Sequence, residues 1–115
     1  MKKNEKDFVR IRHIEQAIQL IEEFVKGVPA GEFLKDLLRQ SAVIRQLEII
    51  GEAASNISEV IKKECPDIEW DKIKGFRNLV VHEYFRVDAG EVWTTVEYDL
   101  PRLKEQISML LKSFE

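Results

Sequence analysis

Between positions 77 and 84, Arg77, Asn78, His82 and Tyr84 gather a guanidinium, an amide, an imidazole and a phenol within two helical turns. Histidine is the side chain whose ordinary pKa lies where proton transfer at neutral pH is efficient. The planar, permanently charged arginine fork suits a phosphate. Cutting RNA without a metal needs three things: a base for the ribose 2′-hydroxyl, an acid for the leaving 5′-oxygen, and a cation to steady the charged phosphorane. His82 and Arg77 fill two of these roles. The stretch holds one histidine per chain, so an acid and a base that are both imidazoles require two subunits. A twofold homodimer is therefore a mechanistic expectation.

On an ideal helix Asn78 and His82 are one turn apart and share a face, and Arg77 and Tyr84, seven apart, share a neighbouring one. Arg77 lies about 140° around the helix from His82. A long side chain and a helix ending near His82 are compatible with both groups reaching one phosphate, but the spacing does not require it. A plainer account is also open: a surface arginine and a hydrogen-bonded histidine at a helix end. Glu83 either orients an imidazole or faces water, and Tyr84 has an ordinary reading as a half-buried packing residue. The other histidine, His13, stands beside Arg12 with nothing obvious to act upon and is assigned a solvated or packing role. Lys72, Lys74, Arg77 and Arg86 flank the motif as a candidate positive patch, with Lys74 and Arg86 as candidate RNA contacts.

The rest of the chain must position these groups. Its 115 residues, 44% of them hydrophobic, suffice for one core and one domain, spanning 1–115. With 34% charged residues, five glycines and three prolines, the composition is that of a helix-rich soluble protein. No apolar run suggests a membrane span, and the N-terminus leads into no signal-peptide core, so a cytoplasmic location is expected. One cysteine, Cys65, allows no internal disulfide, and no zinc-ligand spacing is present, so neither a metal nor a cofactor is expected. Cys65 reads as a small filler near a helix end. A net charge of −3 argues against a general nucleic-acid coat; any RNA contact must be local.

The periodicity predicts an all-α, antiparallel four-helix bundle. Phe8, Ile11, Ile14, Ile18, Ile21 and Val25 form one stripe of a helix from about Asp7 to Lys26, ended by Gly27-Val28-Pro29-Ala30-Gly31. A longer helix starting between Phe33 and Asp36 carries Val43, Leu47, Ile50, Ala54, Ile57 and Ile61 and stops before Pro66. Gly51, costly inside a helix, marks close approach of another backbone, from this chain or from a second subunit. A third helix opens near Trp70, with Asp67 or Asp71 available as its cap, and runs through Ile73, Phe76 and Val80 to about Tyr84. Asp88 to Glu91 reads as a capping box for the last helix, which bears Val92, Val96, Leu100, Leu103, Ile107 and Leu110 and should kink or break at Pro101. Trp70 and Trp93 read as core residues.

Arg77-x4-His82-x-Tyr84 preceded by Trp70 and Gly75, with Ile49-Ile50-Gly51-Glu52-Ala53-Ala54 upstream and Val87-Asp88, Val92-Trp93 and Asp99-Leu100-Pro101 downstream, resembles the HepT-like toxins of the HEPN superfamily. The resemblance spans nearly the whole chain. Phe76 stands where that family often has methionine, and Glu69 where a proline is frequent. The resemblance implies a small all-α RNA endonuclease toxin paired with a minimal nucleotidyltransferase antitoxin. It implies that Arg77 and His82 are the catalytic pair, that Asn78 is their polar neighbour, and that Tyr84 is the tyrosine on which the antitoxin installs AMP. The alternative is a noncatalytic dimeric module that docks a nucleotidyltransferase or binds nucleotide or RNA.

Overall fold

The structure is a computed structural model describing residues 4–78 and 88–114. Helix α1, Glu5–Val25, is opened by Asn4, whose side chain accepts from the Lys6 amide at 2.7 Å. Glu5 and Asp7 place negative charge in its first turn, where the helix dipole favours it. The helix stops at Val25, and Gly27 at φ 72° turns the chain through the left-handed region that a side chain disfavours. Ile11, Ile14, Ile18 and Ile21 are buried as their spacing predicts. Phe8 is not: it is 39% exposed, with its ring 5.5 Å from Phe114. Its neighbour Asp7 is buried instead, because its carboxylate accepts from the Ser58 amide at 2.9 Å and the Ser58 hydroxyl at 2.6 Å. A paired carboxylate is therefore sealed where α1 meets Ser58, and the phenyl ring turns outward.

The short α2, Ala30–Phe33, delivers Phe33 to the core, its ring 4.9 Å from that of Trp93. Buried Gln40 reaches back to the Phe33 carbonyl at 2.9 Å. Helix α3, Leu37–Ser55, begins on Asp36, which accepts from the Arg39 amide at 3.0 Å. That amide, followed by the Arg39 guanidinium, holds the Asp36 carboxyl below its ordinary value.

The second long helix of the sequence reading is two helices. α3 ends at Ser55, and Ser58 caps a separate α4, Glu59–Glu64. The apolar spacing continues across the break because Ile57 and Ile61 both face the core, so hydrophobicity alone hid it. The signal was Ser58 itself, a capping residue inside an apparently continuous stripe.

Helix α5, Trp70–Lys74, passes directly into a 3₁₀ turn, Gly75–Asn78. Neither Asp67 nor Asp71 caps it; the preceding residue is Glu69, which makes no side-chain cap bond, and the Trp70 amide donates to the Ile68 carbonyl at 2.9 Å. The expected continuation of this helix to Tyr84 lies outside the described residues. Asp88 caps α6, Ala89–Thr94, by accepting from the Glu91 amide at 3.1 Å. A π-helical turn, Thr95–Asp99, then joins α6 to α7, Leu100–Lys112, in which Pro101 lies in the first turn.

Pro101 does not break this last arm. The wider turn ahead of it, in which the Leu100 amide bonds to the Thr95 carbonyl, takes up one extra residue just where proline removes a donor and crowds the preceding turn. Val92, Val96, Leu100, Leu103, Ile107 and Leu110 remain buried through it. α1 packs on α3 and α7, α3 packs on α5 and the 3₁₀ turn, and the described residues contain no strand. Trp70 is 8% exposed, and its indole donates to the Cys65 carbonyl at 3.1 Å. The fold is all-α and HEPN-like.

Candidate functional site

Arg77 and Asn78 sit on the 3₁₀ turn, both exposed, while Phe76 between them and α5 is buried and pins the turn to the core. The turn can lie where it does because α3 offers no side chain at Gly51. A Cβ there would come 2.8 Å from the Arg77 nitrogen, 3.0 Å from the Lys74 carbonyl oxygen and 3.1 Å from the Arg77 Cβ. The close approach expected from the sequence is therefore made within the chain, by the backbone of Arg77.

The arginine side chain is fixed as well. Its Nη1 donates to Ser55 Oγ at 3.1 Å, and that hydroxyl donates to the Gly51 carbonyl at 2.8 Å. One turn of α3 thus seats the arginine twice, by a missing side chain and by a hydroxyl relay.

Arg77 and Asn78 stand at the edge of a groove of about 900 Å³ between α1 and α3. From α1 it is lined by Lys6, Val9, Arg10 and His13, and from α3 by Arg45, Ile49, Glu52 and Asn56, with Glu5 and Glu48 also on its walls. Arg10 spans it, donating from Nη1 to the Asn56 carbonyl at 2.9 Å beside the C-cap of α3. The sequence reading missed Arg10 and Arg45 and set His13 aside. The legible signal was periodicity: Val9 and His13 are one turn apart, and Arg45, Ile49, Glu52 and Asn56 recur every three or four residues. Two polar stripes, each beside an apolar one, face the same space.

Of the candidate positive patch, Arg77 lines the groove and Lys72 does not. Lys72 is on another face, bonded to Asp99 at 2.9 Å, an interaction that raises its pKa above the ordinary 10.5. It lines a small cleft with Glu69, Tyr98 and Arg102. Lys74 is exposed at the end of α5 but does not line the groove of Arg77. His82, Glu83, Tyr84 and Arg86 lie outside the described residues. Among the described residues no group of three or more His, Cys, Asp or Glu side chains is arranged to hold a metal ion, and no helix is long and apolar enough to cross a membrane.

An all-α, HEPN-like frame presenting an arginine on a glycine-seated turn defines a class. A family model described as "Ribonuclease HepT-like" matches residues 14–110, and the chain belongs to that family. It is 43% identical over 112 residues to the "Probable ribonuclease HepT" of Thermococcus cleftensis, covering 97% of this chain and 100% of that one. It is 34% identical over 102 residues to a candidate RNase of Caldanaerobacter subterraneus, covering 89% and 91% of the two chains. A Methanocaldococcus jannaschii protein named for a gamma-glutamylcyclotransferase joined to a candidate RNase is 35% identical over 107 residues. The match takes in 93% of this chain and 48% of that protein, so this chain spans about half of the relative's length. No solved structure matches.

Proposed function

We propose that the protein is a metal-independent endoribonuclease that cuts RNA by attack of the 2′-hydroxyl on the adjacent phosphate, and that it is the toxin of a toxin-antitoxin pair. The observation that bears most weight is the seating of Arg77. A guanidinium held by Ser55, on a turn packed against Gly51 and open to a groove, is preorganised to meet a phosphate oxygen as charge builds on it. In the proposed reaction His82 takes the 2′-hydroxyl proton, and the new oxygen–phosphorus bond forms as the bond to the 5′-oxygen breaks. A protonated imidazole returns the proton to that leaving group. The products are a 2′,3′-cyclic phosphate and a 5′-hydroxyl. Asn78, next to Arg77 on the groove edge, supplies an amide to a phosphate oxygen or the ribose.

A homodimer brings a second His82 to the same cleft, so that one imidazole acts as base and the other as acid. A nucleotidyltransferase antitoxin silences the site by adding AMP to Tyr84, which adds negative charge and bulk to the motif and repels RNA phosphate.

The test is cleavage of RNA in excess EDTA by purified protein, with analysis of the product ends. The wild type should leave cyclic phosphate and 5′-hydroxyl ends. Arg77→Ala and His82→Ala should lose cleavage while keeping their helical circular dichroism. Undiminished cutting by both variants refutes the assignment, and RNA binding without cutting by the wild type points to the noncatalytic module.

A further inference from the structure

Of the six described arginines, Arg12, Arg39 and Arg102 pair with carboxylates at 3.0, 3.0 and 3.7 Å. The other three, Arg10, Arg45 and Arg77, have no carboxylate within 4.0 Å among the described residues, and all three line the groove between α1 and α3. On a chain of net charge −3, three arginines along one groove with no carboxylate partner among the described residues are an arrangement suited to an anion. Three glutamates also line the groove, so the positive field is confined to where the arginines project and does not spread into a general basic surface.

The order along the groove follows from helix geometry. Arg10 bonds to Asn56 and Arg77 to Ser55, which puts these two guanidiniums at the same end of α3. His13 is one turn further along α1. Arg45 lies eleven residues before Asn56 on α3, roughly 16 Å away at the rise of an α-helix. Val9, exposed, and Ile49, half-buried, add apolar surface to the groove that the exposed His13 also lines. Cations spaced along a groove with a planar ring and an aliphatic wall between them are what a single strand of nucleic acid uses, phosphates on the cations and a base against the ring.

We propose that this groove is the seat of the RNA strand flanking the cut. Arg10 and Arg45 hold phosphates separated along the strand on one side of the linkage at Arg77, and His13 stacks a base between them. The proposal rests on the ribonuclease reading for its substrate, and on the arginines alone for its location.

The experiment uses a fluorescent single-stranded RNA oligonucleotide and the full-length protein. Binding is measured by anisotropy over a salt series in the His82→Ala background, and cleavage is measured in the wild-type background. Arg45→Gln removes an exposed cation that makes no hydrogen bond to a described residue, so it should fold normally. It should weaken binding several-fold, lower the slope of log affinity against log salt by about one, and raise KM more than it lowers kcat. On a dinucleotide, too short to reach Arg45, it should cleave like the parent. His13→Ala should weaken binding roughly tenfold, and His13→Phe should restore most of that loss.

If the parent cuts long RNA and both Arg45→Gln and His13→Ala bind and cut it equally well, the groove is overturned and the nuclease reading stands. Loss of binding in these variants, in a parent that never cuts, supports the groove and removes the nuclease. An equal effect of Arg45→Gln on the dinucleotide overturns the assignment of Arg45 to a flanking phosphate.

Discussion

Gly51 shows how one missing atom can set the position of a reactive group. Alanine there gains about 1 kcal/mol of helix propensity, yet its Cβ would collide with the backbone of Arg77 at 2.8 Å, a rigid neighbour that cannot swing aside. The collision should win. Gly51→Ala is expected to lower the melting temperature and to depress RNA cleavage further than the stability loss explains. Calorimetry and an activity assay well below the melting temperature separate the two effects, and a more stable, fully active variant would contradict the placement. Asp7 makes a complementary case. Asp7→Ala strips the half-buried Ser58 amide and hydroxyl of their charged acceptor and should cost about 1.5–3 kcal/mol, measured by urea unfolding, without touching the groove. Residue types alone made Arg77, Asn78 and Gly51 stand out, because a costly glycine and a cluster of chemical groups are local signals. Burial of Asp7 and exposure of Phe8 were not legible, since the partner that reverses them, Ser58, is 51 residues away.

Caps and breaks decide more of this fold than the apolar stripes do. Among the described residues the stripes read from periodicity reach the core apart from Phe8, but the stripe could not show that α3 and α4 are separate, because Ile57 and Ile61 face the core on either side of Ser58. Helix starts were legible where a capping side chain announced them, as at Asp88, and misread at Trp70, where backbone groups alone turn the chain. The cap of α3 gives a pH prediction. Asp36 titrates lower in the folded chain than in the unfolded one, so its contribution is present above the ordinary carboxylate value of 3.8 and fades as pH falls through its lowered value. Asp36→Asn keeps an acceptor for the Arg39 amide without the titration. Acid unfolding followed by circular dichroism should therefore show a shallower loss of stability below pH 4 in the variant than in the parent.

At the scale of the molecule, a groove walled by the first and third helices and closed at one end by the arginine-bearing turn unites three distant parts of the chain. Its residues come from positions 5–13, 45–56 and 77–78, a union no local pattern reveals, and this is why Arg10 and Arg45 escaped the sequence reading. The proposed pairing of two His82 residues makes activity a property of the dimer. Specific cleavage activity should fall on dilution through the dissociation range of the dimer, with sedimentation velocity giving that range on the same samples; constant activity across it would show that one protomer suffices.

The π turn at Thr95–Asp99 stores one residue more than an α-helical turn would hold, directly ahead of Pro101. Deleting one residue from it would let the turn close as an ordinary α-helical one, leaving Leu100, Leu103, Ile107 and Leu110 on the core face. Such a deletion variant should fold but lose stability, because the proline then crowds the carbonyl four residues before it, and adding Pro101→Ala should restore the loss in thermal unfolding. In this arm the spare residue and the proline are a matched pair.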